Sequence, residues 1–233
     1  MRNVAKHYLV KTSCLGWFAT EPGFYDVKKH GHKRHYTEAF AMRPEVYESL
    51  LALAAGDDQS AANTLQKAME QNNTNDLALT IKRYAVGGLS ELIHDDLNDK
   101  RHSFAIKGPM GKGLELKSGK SVIFTAGTGM LVFVDLIGHM ILKKVAERGG
   151  PNLISKTESQ SSLPEDFQLE LHTSFYNEEE AIGLTLVKAL EKMSEGSNSF
   201  VHVPRLNSVP EQKAILWNED FFKQKFEEFD RDG

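Results

Sequence analysis

At 233 residues, with 40% hydrophobic and 26% charged side chains, the sequence has the composition of a soluble globular protein with room for one large core or two small ones. A net charge of -4 lacks the basic footprint of a nucleic-acid binder, the single Cys14 rules out an internal disulfide, and no apolar run approaches the ~20 residues of a membrane helix. These features predict an intracellular protein, cytoplasmic or in an organelle matrix such as the mitochondrion, with no nucleic acid and no membrane span.

His7 to Thr12 is rich in β-branched and aromatic residues and reads as a strand. Tyr36 to Met42, Leu77 to Tyr84 and Ser103 to Lys107 read the same way. Between two of these lies a helical insertion at 44–70. Val46, Leu50 and Leu53 recur at helical spacing with Pro44 in the first turn, Gly56-Asp57-Asp58 interrupts, and Ala61, Leu65 and Met69 begin again. A polar turn follows from Gln71 to Asp76. The spacing predicts a helical hairpin packed on the first domain or serving as a docking surface.

The character of the chain changes at Ser118-Gly119-Lys120. Beyond it, apolar strands alternate with helices, the pattern of a parallel sheet with crossover helices. Ser121 to Ala126 is a buried strand, and Phe133, Ile137, Met140, Ile141 and Val145 line a helix that stops at Gly149-Gly150. Pro151 to Asp166 reads as a loop and Phe167 to Phe175 as a strand. Asn177 and Glu180 suggest a capping box for the helix of Ile182, Leu186, Leu190 and Met193. Phe200 to Val203 is a third strand, and Phe222, Phe226 and Phe229 give the last helix an apolar stripe.

Three short motifs fit phosphate or flavin chemistry. Gly127-Thr128-Gly129 joins a strand to a helix, where a bare backbone can approach a pyrophosphate. It lacks the third glycine of the usual dinucleotide fingerprint, and Gly119-Lys120-Ser121 lacks the leading glycine of a P-loop. Arg34-His35-Tyr36-Thr37 places a guanidinium and a ring on one face of a strand. Lys82-Arg83-Tyr84 precedes Gly87-Gly88-Leu89-Ser90, which reads either as an anion-binding turn or as a plain helix cap. His30, His32 and His35 stand among Lys28, Lys29, Lys33 and Arg34, a setting for a solvated loop rather than a metal site.

In this order, with Gly108 to Gly111 between them, these motifs resemble the successive signatures of ferredoxin–NADP reductase-type flavoproteins, nearest their NADH-dependent cytochrome-b reductase branch. The resemblance runs from about Val4 to Phe229, outside the insertion. It implies an antiparallel FAD-binding β-barrel over 1–117, incomplete and carrying the insertion, followed by a parallel-sheet NAD(P)-binding α/β domain over 118–233. It further implies that Arg34, Tyr36, Thr37, Lys82, Tyr84, Gly87, Gly88, Leu89 and Ser90 hold FAD. Gly127, Thr128 and Gly129 would then face the nicotinamide nucleotide, NAD(P)H, and electrons would pass on to an unidentified acceptor. The turn continues Leu131-Val132 where the family has a hydroxyl residue and Pro, and the family's opening strands and last strand have no full counterpart. Those departures support an alternative, a catalytically degenerate subunit with a structural or interaction role in a larger assembly.

Overall fold

The structure is a computed structural model that describes residues 7–13, 33–71, 79–84, 89–99, 103–110, 114, 116–153, 163–210 and 217–232. Cys14, His30, His32, Gly87, Gly88, Gly111 and most of the polar turn after Gln71 lie outside the described residues. In chain order the elements are β1 (His7–Ser13), β2 (Lys33–Thr37), α1 (Pro44–Ala55), α2 (Asp58–Gln71), α3 (Leu89–Asp99), β3 (Ser103–Met110), β4 (Lys120–Ala126), α4 (Val134–Glu147), β5 (Gln168–Phe175), α5 (Leu184–Met193), β6 (Phe200–Leu206) and α6 (Glu219–Asp232). Short 3-10 turns occupy Phe40–Met42 and Gly127–Val132.

The first three strands form an antiparallel sheet in the order β2-β1-β3, with Tyr8 opposite Tyr36 and Val10 opposite both Arg34 and Ile106. Two expected strands are corrected here. The strand that begins at β2 stops at Thr37. Ala39, Phe40 and Ala41 are all buried, where a strand with one solvent face would expose every second residue, and the 3-10 turn buries them together. Of the expected Leu77–Tyr84 strand, residues 79–84 are described, and among them only Leu79 makes a bridge, to Glu38. The following main chain is satisfied by α3 instead of by a ladder: His94 Nε2 donates to the Ile81 carbonyl at 2.8 Å, and the Tyr84 amide donates to Ser90 Oγ at 3.2 Å.

The second sheet is parallel in the order β4-β5-β6, with Thr125 opposite Thr173 and His202 opposite Leu171. Leu169, Leu171 and Phe175 face the core that α4 and α5 fill with Leu136, Ile137, Ile141, Leu186 and Leu190. Each such side chain, fully buried, contributes roughly 1.5–3 kcal/mol. On the opposite face Phe124 stacks on His172 at 4.5 Å and meets Phe222 edge-on at 5.0 Å. Phe226, expected in the same stripe, is 64% exposed, so Phe221 and Phe222 rather than Phe222 and Phe226 turn inward. Burial pushes the Glu170 carboxyl up, but hydrogen bonds from Lys120 and His172 outweigh it and hold it below the usual range.

α4 ends at Gly149-Gly150 as expected, with Gly149 at φ +84°. The capping box is half realised. Asn177 Oδ1 accepts the Glu180 amide at 2.8 Å, but it closes a turn, and the helix begins only at Leu184.

The insertion is a helical hairpin, and its neighbour differs from the expected one. Gly56 closes α1 in the left-handed region at φ +103°. Val46, Leu50, Leu53 and Leu65 are fully buried, in one cluster with α4 and α5 of the parallel-sheet half. Their stripe is therefore consumed internally and offers no docking surface. An amphipathic stripe says that a helix buries one face, not which element covers it. Two polar ties fix the dock. Arg148 donates to the carbonyls of Leu53 and Ala54 at the end of α1 and to Asp58 Oδ1 at 2.7 Å, a cation at a helix C-terminus. The Ala41 amide donates to Asp135 Oδ1 at 2.7 Å across the buried junction with α4.

Candidate functional site

Parallel strands end at one edge of their sheet, and the loops there form the usual ligand crevice of α/β folds. β4 ends there in Gly127-Thr128-Gly129. Gly127 is at φ +51° and a Cβ on it would meet nothing within 4 Å, so the backbone is open to approach. The turn winds into the 3-10 segment before α4 starts, where the sequence predicts a helix at once. Gly129 is glycine for another reason, since a Cβ on it would sit 3.0 Å from Thr125 Oγ1.

Ala126 is the register partner of Ser174, so the turn after β5 rises beside the glycines. That turn carries the exposed Tyr176 and Glu180. Lys82 reaches across to Glu180 at 2.7 Å, and this hydrogen bond raises the Lys82 pKa. Both side chains are more than 40% exposed, so the pair adds little to stability. Tyr84 lies between them and the glycines. Its hydroxyl is 3.4 Å from Thr128 Oγ1, and Lys82 Nζ is 6.0 Å from its ring centroid.

Of the residues named from sequence, the structure brings Tyr84, Lys82 and Ser90 together with the turn at Thr128. Ser90 is buried and strapped to the Tyr84 amide, so it acts as a brace in this structure. Leu89 is buried at the first position of α3. Tyr36 and Thr37 are half-buried on β2, joined to the Lys82 segment through the Glu38–Leu79 bridge. Arg34 has its backbone in the β1 ladder, and its side chain is outside the described residues.

Sequence reading missed Glu180 as a partner of Lys82 and missed Thr125 altogether. The pairing spans 98 residues and leaves no local trace. Thr125 did leave one, a hydroxyl residue directly after the apolar run Val122 to Phe124 and two places before the first glycine. Beyond the turn, Thr173 Oγ1 pairs with His202 Nε2 at 2.9 Å; burial, then the nearby His172 and Lys188, push the His202 pKa down to about 4. A cavity of about 380 Å³ lies at the other end of the domain, between the C-terminal ends of α4 and α5, lined by Lys144, Arg148, Met193 and Ser197. Among the described residues no group of three or more His, Cys, Asp or Glu side chains could hold a metal, and no helix is long and apolar enough to cross a membrane.

No protein-family model matches the sequence, and no curated protein matches it significantly. Solved structures resemble the chain in fold, two of them at 14–15% identity. Both are of ferredoxin-NADP+ reductase from Plasmodium falciparum with 2'P-AMP, one of them a single-residue mutant. The mutant shares 15% identity, with 98% of this chain and 68% of its own covered, at a TM-score of 0.49. The other shares 14%, with 97% and 67% covered, at 0.47.

Proposed function

We propose that the chain is an NAD(P)H-dependent flavoprotein oxidoreductase that passes hydride from a nicotinamide to FAD and electrons on to an acceptor. The observation that supports this reading is the approach of Tyr84 to Thr128. A residue of the flavin-type signature and a residue of the nucleotide-type turn, 44 positions apart, meet at the carboxyl edge of the parallel strands. Among the described residues, the accessible ones suit both cofactors. Lys82 and Tyr84 are accessible, and the open backbone at Gly127 admits a phosphate.

In this reading Gly127, Thr128 and Gly129 hold the nicotinamide nucleotide. Arg34, Tyr36, Thr37, Lys82, Tyr84 and the Gly87 to Ser90 turn hold FAD against the antiparallel strands, taken as part of a barrel over 1–117. The bound cofactors supply the redox chemistry, and the chain supplies alignment. The test is direct. Protein purified with FAD should be yellow, retain flavin absorbance after gel filtration and oxidise NADH or NADPH with an artificial acceptor. Colourless protein that takes up no FAD rejects the proposal.

A second reading, a scaffold subunit on a reductase fold, draws on the exposed Val201, Val203 and Phe226. A monodisperse monomer that holds FAD and oxidises NAD(P)H unaided rejects it.

A further inference from the structure

Thr125 is the penultimate residue of β4 and only 5% exposed. Its hydroxyl oxygen is buried and has no hydrogen-bond partner among the described residues. The hydroxyl of its register partner Thr173 is engaged with His202. The group that Thr125 Oγ1 does approach is the glycine turn, where it stands 3.0 Å from the position a Cβ on Gly129 would take. A hydroxyl withdrawn from water without a replacement bond works against folding. Valine, with the same shape, would fill the place without that cost. Such an orphan asks for a role outside folding.

We propose that Thr125 is a positioning residue for a dinucleotide phosphate, its hydroxyl bonding the main chain of the Gly127–Gly129 turn in the conformation that accepts the phosphate. This deepens, and rests on, the reading of that turn as a nucleotide site. The hydroxyl offers one donor and two acceptor positions, and only glycine at 129 lets the main chain come so near it. The turn is short and wound as a 3-10 segment, so a small re-setting of Thr128 and Gly129 brings a peptide group onto Thr125. Thr125 acts through the turn and does not touch the ligand. The same hydroxyl thus weakens the fold and strengthens the site.

The experiment compares the parent protein with Thr125→Val and Thr125→Ser. Calorimetric titration with NADH and with NADPH gives affinity, and thermal denaturation without nucleotide gives stability. Thr125→Val should raise Tm by about 2–4 °C while weakening dinucleotide binding about 3- to 10-fold. Thr125→Ser, which keeps the hydroxyl, should restore parental affinity. Parental affinity in Thr125→Val overturns the inference and leaves the nucleotide site standing. A Val variant that loses both stability and affinity overturns it too, because the hydroxyl is then a structural bond. A parent that binds neither dinucleotide overturns the site reading and the inference together.

Discussion

The hydroxyls of Tyr84 and Thr128 lie 3.4 Å apart, joining the segment before α3 to the first turn after β4. That separation is long for an O–H···O bond, and the Tyr84 side chain is half exposed. The contact therefore brings the Tyr84 hydroxyl to the turn without holding it there. Lys82–Glu180 makes a second, equally exposed crossing. Two weak links at one edge suit a place where something must enter.

Tyr84→Phe tests whether the link competes with nucleotide. Thr128 Oγ1 is shared with Tyr84, so removing the phenolic oxygen frees it. Dinucleotide affinity by calorimetry should rise by up to about 3-fold, with stability within about 0.5 kcal/mol of the parent. A loss of affinity would show that the phenol itself contacts the nucleotide.

Asp135 gives the fold a pH dependence of definite sign. Burial pushes its pKa up from 3.8 to about 6, against the amides of Ala41 and Phe40 that favour the charge. A raised carboxyl pKa means that its contribution is complete below about 4 and is lost as pH rises through about 6. The shift of about two units corresponds to about 3 kcal/mol. His202, pushed down to about 4, works in the opposite direction, its contribution being lost as pH falls from its unfolded value toward 4. Comparison with Asp135→Asn isolates the carboxylate, because Asn keeps an acceptor for the Ala41 amide. The variant's urea midpoint should exceed the parent's at pH 8 and converge with it near pH 4. An equal difference at both pH values would assign the effect to packing.

Much of the parallel-sheet half was legible, because each of its elements declares itself by local periodicity. β4, β5 and α4 follow from runs such as Val122 to Phe124 and from apolar residues at helical spacing. What stayed hidden depends on distant partners. Phe40 to Met42 looks like strand until Asp135, 94 residues away from Ala41, takes an amide from it. Ile81 and Tyr84 look like strand until His94 and Ser90 take their main-chain groups. The candidate site divides the same way. The glycine turn and Lys82-Arg83-Tyr84 are sequence motifs, whereas their meeting and the orphan hydroxyl of Thr125 are tertiary facts.

Arg34→Ala probes the flavin side. A guanidinium bonded to a pyrophosphate makes a charge-assisted contact worth on the order of 1.5–3 kcal/mol. The variant should lose FAD affinity by that amount in a fluorescence titration while its circular dichroism stays parental. Unchanged affinity would remove Arg34 from the FAD site.

The hairpin decides how the two halves depend on each other. Leu50 and Leu53 are fully buried in the cluster shared with Ile137, Ile141 and Leu190, and Arg148 ties the end of α1 to the end of α4. Replacing residues 44–71 with a short Gly-Ser turn would uncover the apolar faces of α4 and α5. The product should aggregate or unfold even though the turn at Gly127 is untouched. Point substitutions separate this from a simple loss of chain. Leu53→Ala leaves a cavity in the shared core and should cost about 2–5 kcal/mol in urea unfolding. Lys67→Ala, on the exposed face of α2, should change stability by no more than about 0.5 kcal/mol. If the hairpin were a module with its own role, its removal would leave a folded α/β half that still binds dinucleotide. That outcome would contradict the packing, since α1 lies against both α4 and α5.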